Sequence, residues 1–182
     1  SLQSGPVLVE NGIGTALGQL VAIAMCKELA PVMMSILIAG RVGSAMTAEL
    51  GSMRMREEVD ALIAGTIKHY GQIDALVCNA AVNPYYGPLL DITDDAFDKI
   101  MGSNVKSNLW LCNAAMPHIA KQGGGSAIIV SSIGGLRGST MLGAYGISKA
   151  ADFQLARSLA LEWGPKNIRI NCIAPGLVKT DF

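Results

Sequence analysis

Tyr145 and Lys149 stand four residues apart in the run Tyr145-Gly146-Ile147-Ser148-Lys149. On a helix that spacing stacks both side chains on one face. An ammonium beside a phenol favours the phenolate and lowers the phenol pKa from about 10. A tyrosine tuned in this way exchanges a proton with a substrate hydroxyl or carbonyl near neutral pH. Ser132 lies at the end of the preceding apolar run, where its hydroxyl can hold the same substrate oxygen. Asn104 sits in an earlier helical run, where its amide can bind a water and complete a relay to Lys149. A solitary Tyr-x-x-x-Lys is usually a surface helical pair. Its place after Ser131-Ser132 and before a strand that ends in Pro175-Gly176 favours chemistry instead.

These residues need elements to hold them. Val59, Leu62, Ile63 and Ile67 repeat at helical spacing, with Arg56, Glu57, Asp60 and Lys68 mostly outside, so residues 54–70 are expected to be helical. Residues 73–78, 126–131 and 168–173 read as buried strands. Asn79-Ala80-Ala81 follows the first of them directly. Thr93 caps a helix that begins at Asp94, and the helical run continues through residues 101–120. Gly123-Gly124-Gly125 is a turn, and residues 144–163 form a long helix stopped by Gly164-Pro165. Strands that are continuously apolar and alternate with helices predict a Rossmann-like, three-layer α/β fold with a parallel sheet. Ligands then sit beyond the strand carboxyl ends. The first 55 residues are expected to be atypical. Val7-Leu8-Val9 reads as a short strand, residues 15–29 as a helix capped by Thr15 and ended or kinked by Pro31, and residues 35–39 as either a strand or a helix. That region is helix-rich or forms a reduced nucleotide-binding half.

Composition removes several classes of function. The chain has 182 residues, long enough for one medium domain with a real core. Fourteen basic and 14 acidic residues cancel, so no bulk field gathers nucleic acid or anionic lipid. Cys26, Cys78, Cys112 and Cys172 lie far apart with no CxxC pair, which fits neither a zinc site nor a disulfide scaffold. Buried thiols in a reducing, cytoplasmic setting are expected. His69 and His118 have no ligand cluster near them in sequence, so no metal is expected. Lys27 and Glu28 split the apolar stretch 16–39 into two pieces of 11 residues, short of the roughly 20 that span a bilayer. The first residues lack the basic flank and apolar core of a signal peptide.

From about residue 59 to 182 the chain resembles the short-chain dehydrogenase/reductase family. Asn79-Ala80-Ala81 looks like the family's Asn-Asn-Ala-Gly motif, with Cys78 and Ala81 as departures. Asn104 in Asn104-Val105-Lys106 matches its structural and catalytic Asn. Ser132, Tyr145 and Lys149 match its catalytic Ser, Tyr and Lys, and Pro175-Gly176 with Thr180 match the segment that holds the nicotinamide end. Residues 79–86 and 168–182 look most like carbonyl reductases. The resemblance implies an NAD(P)-dependent oxidoreductase that interconverts an alcohol and a carbonyl. Tyr145 would be the acid or base, Ser132 would orient the carbonyl, and Lys149 would also bind the nicotinamide ribose. Asn79 and Ala80 would line the cofactor. The partner is then a small-molecule carbonyl or alcohol, not a membrane or nucleic acid. A homodimer or homotetramer through the helices carrying Trp110 and Trp163 is also implied.

The first third fits that family less well. The family opens with a strand, Thr-Gly-x-x-x-Gly-x-Gly and a helix, which bring backbone amides to a pyrophosphate. Here Gly12, Ile13 and Gly14 match the last part of that fingerprint, and the Thr-Gly and spacer are missing. Ile36-Leu37-Ile38-Ala39-Gly40-Arg41 imitates the second strand with a phosphate-reading Arg41, which leans toward NADP over NAD. Residues 11–62 also resemble the permease of the Mla-type lipid-transport ABC system. The matching runs are Lys27-Glu28-Leu29-Ala30-Pro31, Ala39-Gly40-Arg41-Val42-Gly43-Ser44-Ala45 and Ala48-Glu49-Leu50-Gly51-Ser52-Met53. Together the two resemblances imply an N-terminal segment over 1–55 joined to a dehydrogenase-like region over 56–182. The alternatives to an active oxidoreductase are an inactive dehydrogenase-like fragment with an incomplete cofactor cradle, or a permease fragment fused to it.

Overall fold

The structure, a computed structural model, describes residues 8–9, 35–40, 44–49 and 56–177. In chain order the elements are strands β1 (Leu8–Val9), β2 (Ser35–Gly40) and β3 (Ser44–Glu49), helix α1 (Arg56–Tyr70) and strand β4 (Ala75–Cys78). Helices α2 (Asp94–Met101) and α3 (Ser107–Lys121) follow, then strand β5 (Gly125–Val130), helix α4 (Gly143–Trp163) and strand β6 (Ile168–Ile173). The described strands make a six-stranded sheet in the order β1-β3-β2-β4-β5-β6. Strands β4, β5 and β6 are parallel, with Cys78 opposite Ile129 and Val130 opposite Ile173. This is the Rossmann-like parallel sheet flanked by helices that the apolar runs predict. Ile73 precedes β4 rather than joining it, because the Gln122 side chain takes its backbone: Ile73 N donates to Gln122 Oε1 at 3.2 Å.

The core explains which helices form. Leu76, Cys78, Ala127, Ile129, Ile168 and Ile170, every second residue along the strands, pack in one cluster. Val59 and Ile63 of α1, Leu111, Met116 and Ile119 of α3, and Leu159 of α4 close it from above. Along the opposite face Ile128 and Val130 are half-buried, and Arg169 and Asn171 are exposed. Strands β5 and β6 therefore alternate in burial, whereas β4 is buried continuously through Leu76, Val77 and Cys78, as its apolar run predicts. The described helices that join this core, α1, α3 and α4, all pack on the one face. Thr93 caps α2 as expected, its hydroxyl oxygen accepting from Ala96 N at 3.3 Å. The turn before β5 requires glycine: Gly124 has φ +121°, and a Cβ there would collide with the Asn167 carbonyl oxygen. Gly125 N donates to that same oxygen at 3.1 Å, which sets β5 beside β6.

Several expectations for the first third are corrected. Residues 35–39 resolve to a strand, and β2 runs antiparallel to both β3 and β4, with Ile36 opposite Cys78 and Ala39 opposite Ala75. A second strand of a nucleotide-binding half would run parallel to β4. The observed direction brings the end of β2 to the amino end of β4. Arg41 follows that end and itself lies outside the described residues, so the match of β2 to that strand does not hold. The permease reading fails too. Two of its three runs overlap β2 and β3, at residues 39–40, 44–45 and 48–49, and these are six-residue strands of a mixed sheet. No helix among the described residues is long and apolar enough to cross a membrane. The short strand near Val7 is found at Leu8–Val9, paired antiparallel to β3. The helix expected over 15–29, with Thr15, Pro31 and the first permease run, lies outside the described residues. So do Gly12, Ile13 and Gly14.

Candidate active site

Three strand ends lie side by side at one edge of the sheet. Asn79 follows β4, Ser131-Ser132 follows β5, and Ala174-Pro175-Gly176 follows β6. Backbone bonds lock the second and third together: Ser131 N donates to Ile173 O at 2.9 Å and Ile133 N to Pro175 O at 3.0 Å. The chain after Ser132 makes a tight 3-10 turn over Ile133–Gly135, and Ser132 caps it, its Oγ accepting from Gly134 N at 3.1 Å. That turn packs on the start of α4. A Cβ on Gly135 would lie 2.6–2.7 Å from backbone atoms of Lys149 and Ala150. Only a glycine allows this approach.

Tyr145 stands in the first turn of α4, half-buried. A Cβ built on Gly134 would lie 3.4 Å from Ser132 Oγ and 3.6 Å from Tyr145 Cε1. The serine hydroxyl and the tyrosine ring thus flank one small space. Lys149 lies one turn further on and is 1% exposed. Its Nζ donates to Val130 O at 2.9 Å and to Asp152 Oδ2 at 3.1 Å, and stands 5.8 Å from the Tyr145 ring centroid. Two of its three donors are thereby used. Ser131 Oγ donates to Lys149 O at 2.7 Å, a further tie between β5 and α4. The structure therefore brings Ser132, Tyr145, Lys149 and Pro175 together at the edge where ligands are expected.

Asn104 is placed differently from the expected relay. It lies in a π-helical turn, Gly102–Lys106, between α2 and α3, and is fully buried. Its Oδ1 accepts from Val82 N at 2.7 Å. Its Nδ2 donates to Val82 O at 3.0 Å and to Ser148 Oγ at 2.9 Å. Both amide hydrogens are used inside the protein, so the side chain clamps the loop after Asn79-Ala80 onto α4 rather than donating to a water. The extra residue of a π turn aims the side chain inward. Ala80 is buried and Asn79 half-buried in the segment so held. Thr180 lies outside the described residues, with Gly12, Ile13, Gly14 and Arg41.

Sequence reasoning missed a buried polar chain behind the site. Asp152 is 0% exposed, and its Oδ1 accepts from Asn108 Nδ2 at 3.0 Å. Asn108 also donates to Asn104 O at 2.7 Å, and its Oδ1 has no partner. Burial pushes the Asp152 carboxyl above its ordinary range, offset in part by the Lys149 ammonium and Asn108. The thiol of Cys78 is pushed well up by its hydrogen bond with Cys112 and by burial. The signal for Asp152 was its i+3 spacing from Lys149 on a helix that is otherwise apolar around it.

A family model described as Enoyl-(Acyl carrier protein) reductase matches residues 37–182. Dehydrogenase/reductase SDR family member 4 of Sus scrofa is 42% identical over 140 residues, 77% of this chain and 50% of that protein. The chain belongs to the short-chain dehydrogenase/reductase family. Dehydrogenase/reductase SDR family member 2, mitochondrial, of Homo sapiens is 43% identical over 126 residues, 69% of this chain and 45% of that protein. Among solved structures, NAD+-bound xylitol dehydrogenase is 29% identical with a TM-score of 0.68, over 70% of this chain and 49% of that one. ElxO with NADP bound is 31% identical with a TM-score of 0.69, over 74% of this chain and 54% of that one. This dehydrogenase/reductase chain spans about half the length of the curated relatives it matches. The family match starts at residue 37, inside the run that resembles a permease, and so takes β2 and β3 into the dehydrogenase/reductase family.

Proposed function

We propose that this chain is an NAD(P)-dependent oxidoreductase that interconverts an alcohol and a carbonyl, with Tyr145 as general acid or base. The observation that carries the reading is the meeting of Ser132, Tyr145 and buried Lys149 at the carboxyl edge of the parallel strands. Relatives that hold NAD+ and NADP support a nicotinamide cofactor here. The residues described fit its nicotinamide end: Lys149 keeps one donor beyond its two hydrogen bonds, and Asn79, Pro175 and Gly176 stand at neighbouring strand ends. Ala80 and Tyr145 belong to the same lining, with Thr180, Gly12, Ile13 and Gly14 as further candidates. NAD and NADP are both candidates, because the lean toward NADP rested on Arg41 as the end of a strand parallel to β4, and β2 runs antiparallel to it. When bound, the cofactor supplies or accepts a hydride. Ser132 holds the substrate oxygen by its hydroxyl. Tyr145 gives its phenolic proton to that oxygen in reduction and takes it back in oxidation. Lys149 places a positive charge near the phenol, and Asn104 holds the loop that lines the cleft.

The substrate is a small carbonyl or alcohol, and neither nucleic acid nor a membrane is a partner. Leu109 on α3 and Ile147 and Leu161 on α4 are exposed apolar side chains on the helices that would join two or four copies. Cys78, Cys112 and Cys172 as free thiols suit a reducing cytoplasm. Titration with NADH and NADPH, followed by nicotinamide fluorescence, tests it together with turnover on small ketones, aldehydes and secondary alcohols. Saturable binding and turnover are expected. No saturable signal up to about millimolar cofactor would favour the inactive fragment, whose incomplete cradle lacks the binding energy for the pyrophosphate.

A further inference from the structure

A lysine 1% exposed is costly unless its charge is paired, since burial disfavours the ammonium. Among the described residues Asp152 is the carboxylate within ion-pair reach of Lys149, at 3.1 Å and itself 0% exposed. A packing role alone would be filled better by an apolar residue. Asp152 is instead held at both oxygens, by Lys149 from its own helix and by Asn108 from α3. The other groups that face the pair are known. From β4 comes Cys78, whose thiol Cys112 of α3 and burial push up, and from β6 comes Cys172, a thiol that burial also pushes up. From β5 come the Val130 carbonyl and, on the Lys149 backbone, Ser131. Tyr145 lies on the same helix as Lys149. The thiols stay neutral in the acid and neutral range, so Asp152 supplies the negative charge.

We infer that Asp152 is a positioning residue: it is the buried counter-ion that keeps Lys149 protonated and fixed between Val130 and Tyr145, with one donor left for a ligand. Its catalytic consequence rests on the oxidoreductase reading above. The ion pair itself can be followed without cofactor or turnover. In the full 182-residue chain, labelled with 13Cε-lysine, the Lys149 signal is assigned by its loss in Lys149→Arg and followed against pH. In wild type it shows a step where Asp152 takes up its proton, above the ordinary carboxylate range, because burial favours the neutral acid. In Asp152→Asn that step vanishes. Asp152→Glu restores the charge and returns Lys149 toward its wild-type behaviour.

A Lys149 signal that is flat through the acid range in wild type overturns the inference. So does an Asp152→Asn titration that matches wild type. If the Asn variant fails to fold, the wild-type step decides alone. Failure of the oxidoreductase reading looks different: the NMR steps remain, and no nicotinamide cofactor binds. In an active enzyme, Asp152→Asn loses rate at alkaline pH and binds cofactor more weakly, and Asp152→Glu recovers both. A merely structural role would lower stability and leave the wild-type Lys149 signal without a step in the acid range.

Discussion

Lys149 carries more of the site than any other side chain, because it serves the phenol, the β5 backbone and Asp152 at once. Lys149→Ala is expected to act in two ways. It strips Asp152 of its ion-pair partner inside the protein, which costs about 3–5 kcal/mol for a broken buried pair. It also removes the ammonium that stands 5.8 Å from the Tyr145 ring centroid and one donor for the proposed cofactor, so both kcat and cofactor Kd should worsen. Urea unfolding and cofactor titration check the two parts separately. Cys78 makes a different prediction. Its folded-state pKa lies above the ordinary value near 9.0, chiefly through Cys112 and burial. The folded chain therefore holds a proton that the unfolded chain releases. That stability is fully present below about pH 9 and is lost as the pH rises above it, by at most about 1.4 kcal/mol per pH unit. The unfolding free energy of wild type should fall more steeply above pH 9 than that of Cys78→Ala. Equal slopes would show that the thiol is not held neutral by its surroundings.

At the scale of elements, the π turn at Gly102–Lys106 joins two halves of the site. Asn104→Ala removes the partner of both Val82 backbone groups, and each orphaned group costs about 1–3 kcal/mol. A clear drop in urea midpoint is expected, with turnover lost as the loop after Asn79 releases α4. An unchanged midpoint would mean the clamp contributes nothing. The sequence made the parallel half of the sheet legible because apolar runs such as Ala127-Ile128-Ile129-Val130 are bounded by glycine and strand ends. Tyr145 and Lys149 were legible because helix geometry fixes what four residues apart can do. The direction of β2 was not, since the short apolar run Ile36-Leu37-Ile38-Ala39 fits either direction and only the partner strand chooses. Asp152 was missed for a related reason: a single carboxylate on a helix normally faces water, and its burial depends on α3 packing across it. The orientation of Asn104 depends on an extra residue in the helical turn, which no periodicity announces.

For the whole molecule, a family match that begins at residue 37 sets the early strands inside the dehydrogenase/reductase chain. Short identical runs had favoured a permease there, but runs of small residues and glycines recur in many folds, whereas strand pairing to β4 is specific. The carboxyl edge of β4, β5 and β6 brings together Ser132, Tyr145 and Lys149. In the proposed function this edge carries out hydride transfer coupled to proton transfer through Tyr145. The most direct test is a paired measurement on wild type and Tyr145→Phe: cofactor affinity by nicotinamide fluorescence, and turnover from pH 6 to 10 by consumption of reduced nicotinamide. Only one oxygen is removed and the ring keeps its packing, so the loss should fall in the chemical step rather than in binding. Wild type should bind and turn over, and Tyr145→Phe should bind equally well with kcat lower by about 10²–10⁴-fold. Near-normal turnover of Tyr145→Phe across that range would contradict the account, because the proton would then come from another group.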